Sequence, residues 1–146
     1  MHDFKNFPEL TNGQMTMYYF ESPHKQITEN FTARVVKVHD GDTITLRWNE
    51  RDFDFPLRFI DVAAPELDET GGKESQSWLE SKVIGKEVDI VINPRNRVEK
   101  WGRLLGKVMC DGMDIGRESI MAGKSVAWAD RKQGLLPDIN KELTWL

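Results

Sequence analysis

The chain has 146 residues, a formal net charge of -4, 39% apolar residues and 30% charged residues. This length and composition are typical of one globular domain with a buried core, and they exclude a disordered or fibrous chain. The acidic net charge disfavours a protein that coats nucleic acid through a uniformly basic surface.

Residues 1–30 contain aromatic side chains but no sustained hydrophobic period. They predict an irregular N-terminal arm whose Phe and Tyr side chains dock on the rest of the protein. The start lacks the charged and then apolar build of a signal peptide, and no apolar run reaches the length of a membrane helix. The cytoplasm is therefore the default location, and export stays open.

After the arm, short β-rich runs are separated by turn residues, which is the pattern of consecutive strands. The predicted strands are 31–38, 42–48, 53–62, 86–92 and 103–110. The predicted helices are 72–85, 115–123 and 138–146, with a short apolar segment at 125–129. We expect Trp48, Trp78, Trp145 and the single cysteine, Cys110, to pack against the core.

Three strands, a helix and two more strands is the order of a five-stranded OB-fold barrel with a helix between its third and fourth strands. The sequence therefore predicts an α+β protein, mainly a β barrel, with about three helices. We assign residues 1–30 to the arm and residues 31–146 to the barrel domain.

Charge is unevenly distributed along the chain. Residues 94–107 hold five basic side chains and one acid, whereas residues 66–74 hold four acids and one lysine. The first segment suits phosphates and the second suits a cation. The alternative is that both are ordinary solvated loops.

Three short motifs carry a more specific signal: "DGDTITL" at 40–46, "LRFIDVAAPE" at 57–66 and "KWGR" at 100–103. Arg58 precedes Pro65 by seven residues. In this order and spacing, the motifs resemble the thermonuclease, or staphylococcal nuclease, family. The resemblance extends from about residue 31 to about residue 130.

The resemblance implies a Ca²⁺-dependent endonuclease that cleaves DNA or RNA, preferably single-stranded, to 3′-phosphate ends. It matches Glu66 to the family's general base, and Arg58 and Arg103 to its two catalytic arginines. Guanidinium groups suit this role because each can bind two phosphate oxygens. We expect a monomer that does not associate with a membrane.

The metal ligands implied by the resemblance are Asp42 and the backbone carbonyl of Ala64. The sequence departs from the family at Ala63, where the second metal-binding aspartate is replaced by a side chain without oxygen. Asp61 lies two residues earlier, and in an extended strand it would face the same side as Ala63. Asp61 is thus an alternative ligand, unless it pairs with a neighbouring basic side chain. Calcium affinity is in question for this reason.

Lys100, Trp101 and Trp128 are the candidate substrate contacts, because aromatic faces stack on nucleic-acid bases with little sequence preference. For Trp128, anchoring of the barrel rim is an equal alternative. The missing ligand also leaves a second function open: a catalytically impaired module that binds nucleic acid or a protein partner.

Overall fold

The computed structural model describes residues 1–132, in which eight strands and four α-helices are formed. The strands are β1 (Phe31–Asp40), β2 (Thr43–Arg47), β3 (Phe55–Phe59), β4 (Val62–Ala63), β5 (Glu87–Val91), β6 (Leu104–Cys110), β7 (Met113–Asp114) and β8 (Val126–Ala127). The helices are α1 (Asn12–Tyr18), α2 (Gly72–Val83), α3 (Ile115–Met121) and α4 (Trp128–Lys132).

Five of these strands close into a barrel. The sheet runs β3-β2-β1-β5-β6-β7, and a parallel pairing of β3 with β6 joins its two sides. That pairing aligns Leu57 with Leu104. Apolar residues alternate inward along the strands, as in β5, where Val88 and Ile90 are buried and their neighbours are exposed. The predicted α+β class and five-stranded OB-fold barrel are confirmed.

Helix α2 lies between β4 and β5 and covers one side of the barrel. Leu79 and Val83 are fully buried on its inner face, and Trp78 packs partly buried against the core. The helix ends at Val83, two residues before the predicted end, because Ile84 has an extended backbone and Gly85 has a φ of 72°. Its placement between the third and fourth barrel strands is as predicted.

The single long strand predicted at 53–62 is wrong. The chain leaves the barrel after Phe59, turns at Ile60 and Asp61, and forms β4, which pairs with β8 in a separate two-stranded sheet. Asp61 has a φ of 61°, a left-handed conformation that ends an extended strand. The predicted short segment at 125–129 becomes β8 and the start of α4. The predicted helix 138–146, with Trp145, lies outside the described residues.

The N-terminal segment (residues 1–30) is more ordered than the predicted irregular arm. It contains α1, which begins at a capping box formed by Thr11 and Gln14. Its buried apolar anchors are Leu10 and Ile27, whereas Phe20 is 99% exposed. Phe7 contacts the rest of the protein at Gly102 but is half-exposed, so the docking predicted for the Phe and Tyr side chains is found only in part. The domain boundary at residue 30 stays a prediction.

The remaining core predictions are confirmed for the residues described. Trp48 and Cys110 are buried, and Cys110 is a free thiol. Within residues 1–132, no helix has the length and apolar character needed to cross a membrane.

Candidate active site

Asp42 is the centre of the motif cluster. It lies in the turn between β1 and β2, where its Oδ2 accepts hydrogen bonds from the Ala64 backbone N–H at 2.9 Å and from Arg58 Nη2 at 3.3 Å. Its Oδ1 accepts a hydrogen bond from Thr43 Oγ1 at 3.0 Å. Asp42 therefore joins the first two motifs, and both of its carboxylate oxygens are already engaged.

Asp40 supports this turn and carries a strongly perturbed carboxyl group. Its Oδ1 accepts a hydrogen bond from the Asp42 backbone N–H at 3.0 Å, as expected of a turn-capping aspartate. Burial raises the pKa of Asp40 to about 7, with contributions from the carboxylates of Asp42 and Glu66. Several negative charges thus act on one partly buried region.

The turn is packed tightly against α2. A Cβ at Gly41 would lie 1.8 Å from Ser75 Oγ and 2.6 Å from the Ala64 Cβ, so only glycine fits there. Ser75 Oγ is buried and has no hydrogen-bond partner among residues 1–132. The close contact fixes the position of both aspartates relative to the helix.

Arg58 is placed by the strand register, which sets it opposite Thr43 in β2 and beside Leu105 in β6. Its Nη1 donates to the carbonyl oxygens of Phe59 at 2.8 Å and Val62 at 3.0 Å. The guanidinium carbon also lies 5.0 Å from the centre of the Trp128 ring. Arg58 is therefore held in one orientation at the barrel mouth.

Arg103 immediately precedes β6 and reaches the same turn. Its Nη1 donates to Thr43 Oγ1 at 3.4 Å, while its Nε and Nη2 both donate to the Glu99 carboxylate. Burial by itself would lower the pKa of Arg103. The hydrogen bond and charge of Glu99, together with the charges of Asp42 and Asp40, raise this pKa overall. The two arginines thus converge on residues 42–43.

Glu66 lies exposed at the start of the loop before α2. Its backbone N–H donates to Glu69 Oε1 at 2.8 Å, and the same oxygen accepts a hydrogen bond from Arg131 Nη2 at 2.6 Å. A Cβ at Gly72 would lie 1.9 Å from the Glu66 carbonyl oxygen, so the loop closes directly onto the helix. The Glu66 carboxylate makes no hydrogen bond within residues 1–132, which leaves it accessible to water.

A groove of about 530 Å³ lies beside Arg58 and Glu99. It is lined by Arg58, Trp101 and Trp128 among others, and the two tryptophans are 67% and 42% exposed. Lys100 also lines the groove, with its Nζ 5.1 Å from the centre of the Trp101 ring. All three predicted substrate contacts are therefore at one surface, adjacent to Arg58.

The reason for considering Asp61 as a metal ligand fails in the structure. Asp61 is exposed at a turn, whereas Ala63 is 2% exposed in β4, so the extended geometry that would put them on one side is absent. The Asp61 carbonyl instead accepts a hydrogen bond from the Trp128 backbone N–H at 2.9 Å. Its backbone thus helps to place the groove.

The residues present do not fit a tightly bound Ca²⁺. The ion takes six to eight oxygen ligands, but Ala63 offers no side-chain oxygen and the Asp42 oxygens accept hydrogen bonds from Arg58 and Ala64. Among residues 1–132, no group of three or more His, Cys, Asp or Glu side chains is arranged to hold a metal. The metal set expected from the motifs is thus incomplete.

Two acidic side chains that organise the site, Glu99 and Glu69, are not among the residues predicted from the sequence. Glu99 is the single acid of the basic segment and lies four residues before Arg103, which is a usable signal. Glu69 has no such signal, because its partner Arg131 is distant in sequence. The structure also removes Arg97 from the basic surface, since that side chain is buried.

Comparison with known proteins identifies relatives of this chain. The family model described as staphylococcal nuclease homologue matches residues 56–142, more than half of the chain. A protein named uncharacterized endonuclease from Escherichia coli O157:H7 is 35% identical over 97 residues, which cover 66% of this chain and 59% of that protein. A protein named micrococcal nuclease from Shigella flexneri is 29% identical over 112 residues, or 72% of this chain and 62% of that protein. The chain spans less than two thirds of the length of these relatives.

Proposed function

Because the chain belongs to the family of staphylococcal nuclease homologues, we propose that it is an endonuclease. It hydrolyses phosphodiester bonds of DNA and RNA, with a preference for single strands, and leaves 3′-phosphate ends. It acts as a monomer. The observation that carries this proposal is the convergence of Arg58 and Arg103 on residues 42–43, with the charge of Glu66 acting on the same turn.

The two arginines supply the charge that the reaction needs. Attack of water on phosphorus places additional negative charge on the equatorial oxygens and on the departing 5′ oxygen. Two backbone carbonyls hold Arg58 Nη1, which fixes the orientation of the guanidinium group that we assign to the phosphate. Arg103 keeps Nη1 directed to the turn while Glu99 holds its other two donor nitrogens. We assign Arg58 to the phosphate oxygens and Arg103 to the leaving 5′ oxygen.

Glu66 is the group assigned to water. Its carboxylate is exposed and without a hydrogen bond among the described residues, while its backbone is held through Glu69. As general base it takes a proton from the attacking water, whose oxygen bonds to phosphorus. The P–O5′ bond breaks, and the departing 5′ oxygen takes a proton from solvent water to become a hydroxyl. Proton transfer of this kind contributes about 10²–10⁴-fold to a rate.

The groove supports binding of a flexible strand. Trp101 and Trp128 present exposed ring surfaces beside Arg58, and Lys100 adds a positive charge. Stacking on such rings contributes about 1–3 kcal/mol per base and requires unpaired bases. A single strand therefore uses this surface better than a duplex does.

The calcium dependence implied by the resemblance is not part of the proposed chemistry, since Ala63 and the engaged Asp42 do not complete an ion site. The same observation favours a second candidate function, a nuclease-like module that binds nucleic acid without cleaving it. Its sequence signal is the exchange of the family's aspartate for Ala63.

One experiment separates these two functions. Labelled single-stranded DNA and RNA are incubated with the purified chain in Ca²⁺ and in chelator, and products and mobility shifts are resolved on gels. Cleavage to fragments from which a phosphatase removes a 3′ phosphate supports the endonuclease. A mobility shift without cleavage supports the binding module and overturns the endonuclease. Loss of cleavage in chelator would show that a metal acts despite the incomplete ligand set.

Variants test the assigned roles. Glu66→Gln and Arg103→Ala are each expected to lower turnover by about 10²–10³-fold with an unchanged circular dichroism spectrum. The matched controls Glu80→Gln and Arg117→Ala alter exposed side chains of α2 and α3 and should keep wild-type turnover. Wild-type turnover in either site variant contradicts the mechanism.

A further inference from the structure

The N-terminal segment contacts the loop between β5 and β6 (residues 92–103) at three points along its length. At the first, Asn12 Nδ2 donates to the Pro94 carbonyl oxygen at 2.9 Å. At the second, buried Arg97 is bound by the segment. At the third, Gly102 is covered by Phe7, whose Cδ1 would lie 2.7 Å from a Cβ at that glycine. The loop therefore has a binding partner over most of its length.

The contact at Arg97 is extensive and buried. Its Nε donates to the Ile27 carbonyl at 2.6 Å, its Nη1 to the Leu10 carbonyl at 3.1 Å, and its Nη2 to Glu9 Oε2 at 3.4 Å. Glu9 in turn binds Arg51, whose side chain is also fully buried. Loss of either partner of such an ion pair is strongly destabilising, because it leaves a buried charge uncompensated. The base of the loop is thus tied to the segment.

The contact at Gly102 lies next to the proposed chemistry. Gly102 has a φ of 88° and its N–H donates to the Glu99 carbonyl at 2.9 Å. The Glu99 N–H donates to the Arg103 carbonyl at 3.0 Å. This turn carries the carboxylate that holds Arg103 and the exposed ring of Trp101. Any rotation of the turn would therefore move both groups.

We propose that the N-terminal segment positions the Lys100–Arg103 turn for substrate binding and cleavage, with Phe7 as the positioning residue closest to the site. The segment precedes the part of the chain that matches the family model, residues 56–142. The inference rests on the proposed function, because it assigns a purpose to the placement of Arg103 and Trp101. Phe7 touches no reacting atom and acts through Gly102.

A role in global stability does not account for Phe7. Its side chain is 45% exposed and is absent from the hydrophobic core, which the segment reaches through Ile27. Truncating a half-exposed side chain of this kind leaves the core packing intact. Its removal is expected to free the turn while the barrel stays folded.

The test compares Phe7→Ala with Phe20→Ala, which removes an equal side chain from the same segment at a fully exposed position. Amide hydrogen exchange at Glu99 and Gly102 reports the turn directly and needs no activity. We expect exchange about tenfold faster in Phe7→Ala, equivalent to ~1.4 kcal/mol of local opening. Phe20→Ala should match the wild type, and the unfolding midpoints of all three proteins should agree closely.

Function is measured on the same proteins with a labelled single-stranded oligonucleotide. Phe7→Ala should raise KM and lower kcat together, because the turn carries both a stacking ring and an arginine, and Phe7→Leu should recover most of both. Equal exchange rates in Phe7→Ala and wild type overturn the positioning role. Faster exchange with unchanged kcat and KM overturns its connection to the site. A wild-type chain that neither binds nor cleaves overturns the proposed function, even if the exchange result holds.

Discussion

Replacing Ala63 by aspartate tests whether the missing side-chain oxygen at this position limits calcium binding. Ala63 is 2% exposed, and the pairing of β4 with β8 holds its backbone opposite Val126. In chelator, a carboxylate there adds an uncompensated charge to a region that already contains Asp42. We expect the free energy of unfolding to fall by ~1–3 kcal/mol under that condition.

Calcium should reverse this loss in the variant alone. If Ala63→Asp binds Ca²⁺ with a Kd of ~10⁻⁴ M, as weak protein sites do, then 10 mM calcium is about 100 times that Kd. Binding to the folded state then contributes ~2.7 kcal/mol. For a domain of this length, that corresponds to a rise in Tm of about 5–10 °C. The wild type should rise by less than about 1 °C, since its Asp42 oxygens already accept hydrogen bonds.

Differential scanning calorimetry in calcium, in magnesium and in chelator measures these shifts. Ala63→Asn is the matched control, because it adds a side chain of similar size without the charge and should gain nothing from calcium. Calorimetric titration gives the affinity independently. Two results would refute the reasoning: a wild type that calcium stabilises as strongly as the variant, or a folded Ala63→Asp that calcium leaves unchanged. The second result would mean that Asp42 stays hydrogen-bonded to Arg58 and does not bind the ion, or that the motif alignment is shifted.

Three further predictions concern the surroundings of the site. Glu9→Gln removes the negative charge between the buried guanidinium groups of Arg51 and Arg97, and should lower the free energy of unfolding by about 3–5 kcal/mol in urea titrations. A loss under about 1 kcal/mol would contradict the assigned ion pairs. Burial and the second aspartate of its turn raise the pKa of Asp40 to about 7, above its value of ~3.9 in the unfolded chain. The contribution of Asp40 to stability is therefore full below about pH 4 and is lost as the pH rises through about 7. Asp40→Asn in chelator should abolish this loss and exceed the wild type by ~1–2 kcal/mol at pH 8, after allowance for partial exposure. Gly72→Ala meets the Glu66 carbonyl and should cost ~1–3 kcal/mol with a marked loss of activity, whereas Gly13→Ala, which meets no atom within 4 Å, should be neutral or mildly stabilising by thermal denaturation.

Local patterns in the sequence were sufficient to predict the barrel and the meeting of its three motifs. Alternation identified all five barrel strands, and the register of those strands places Arg58 opposite Thr43 and beside Leu105. Since Asp42 adjoins Thr43 and Arg103 lies two residues before Leu105, forming the barrel brings the three motifs together. Convergence of Asp42, Arg58 and Arg103 is thus a consequence of strand order, and motif spacing predicts it.

Tertiary structure decided how each charged side chain is used. Arg97 and Arg103 belong to the same basic segment, but one is buried against the N-terminal segment and the other is held by Glu99 at the barrel mouth. The alternation of a strand predicts which side of the sheet a residue faces. It does not predict which residues, distant in sequence, pack against that side. Asp61 shows the same limit, because a single left-handed residue breaks the alternation and turns its side chain outward. The positions of the strands along the chain follow from hydrophobic patterns within each strand. The partner of a charged side chain, in contrast, depends on tertiary contacts that form only when the barrel folds.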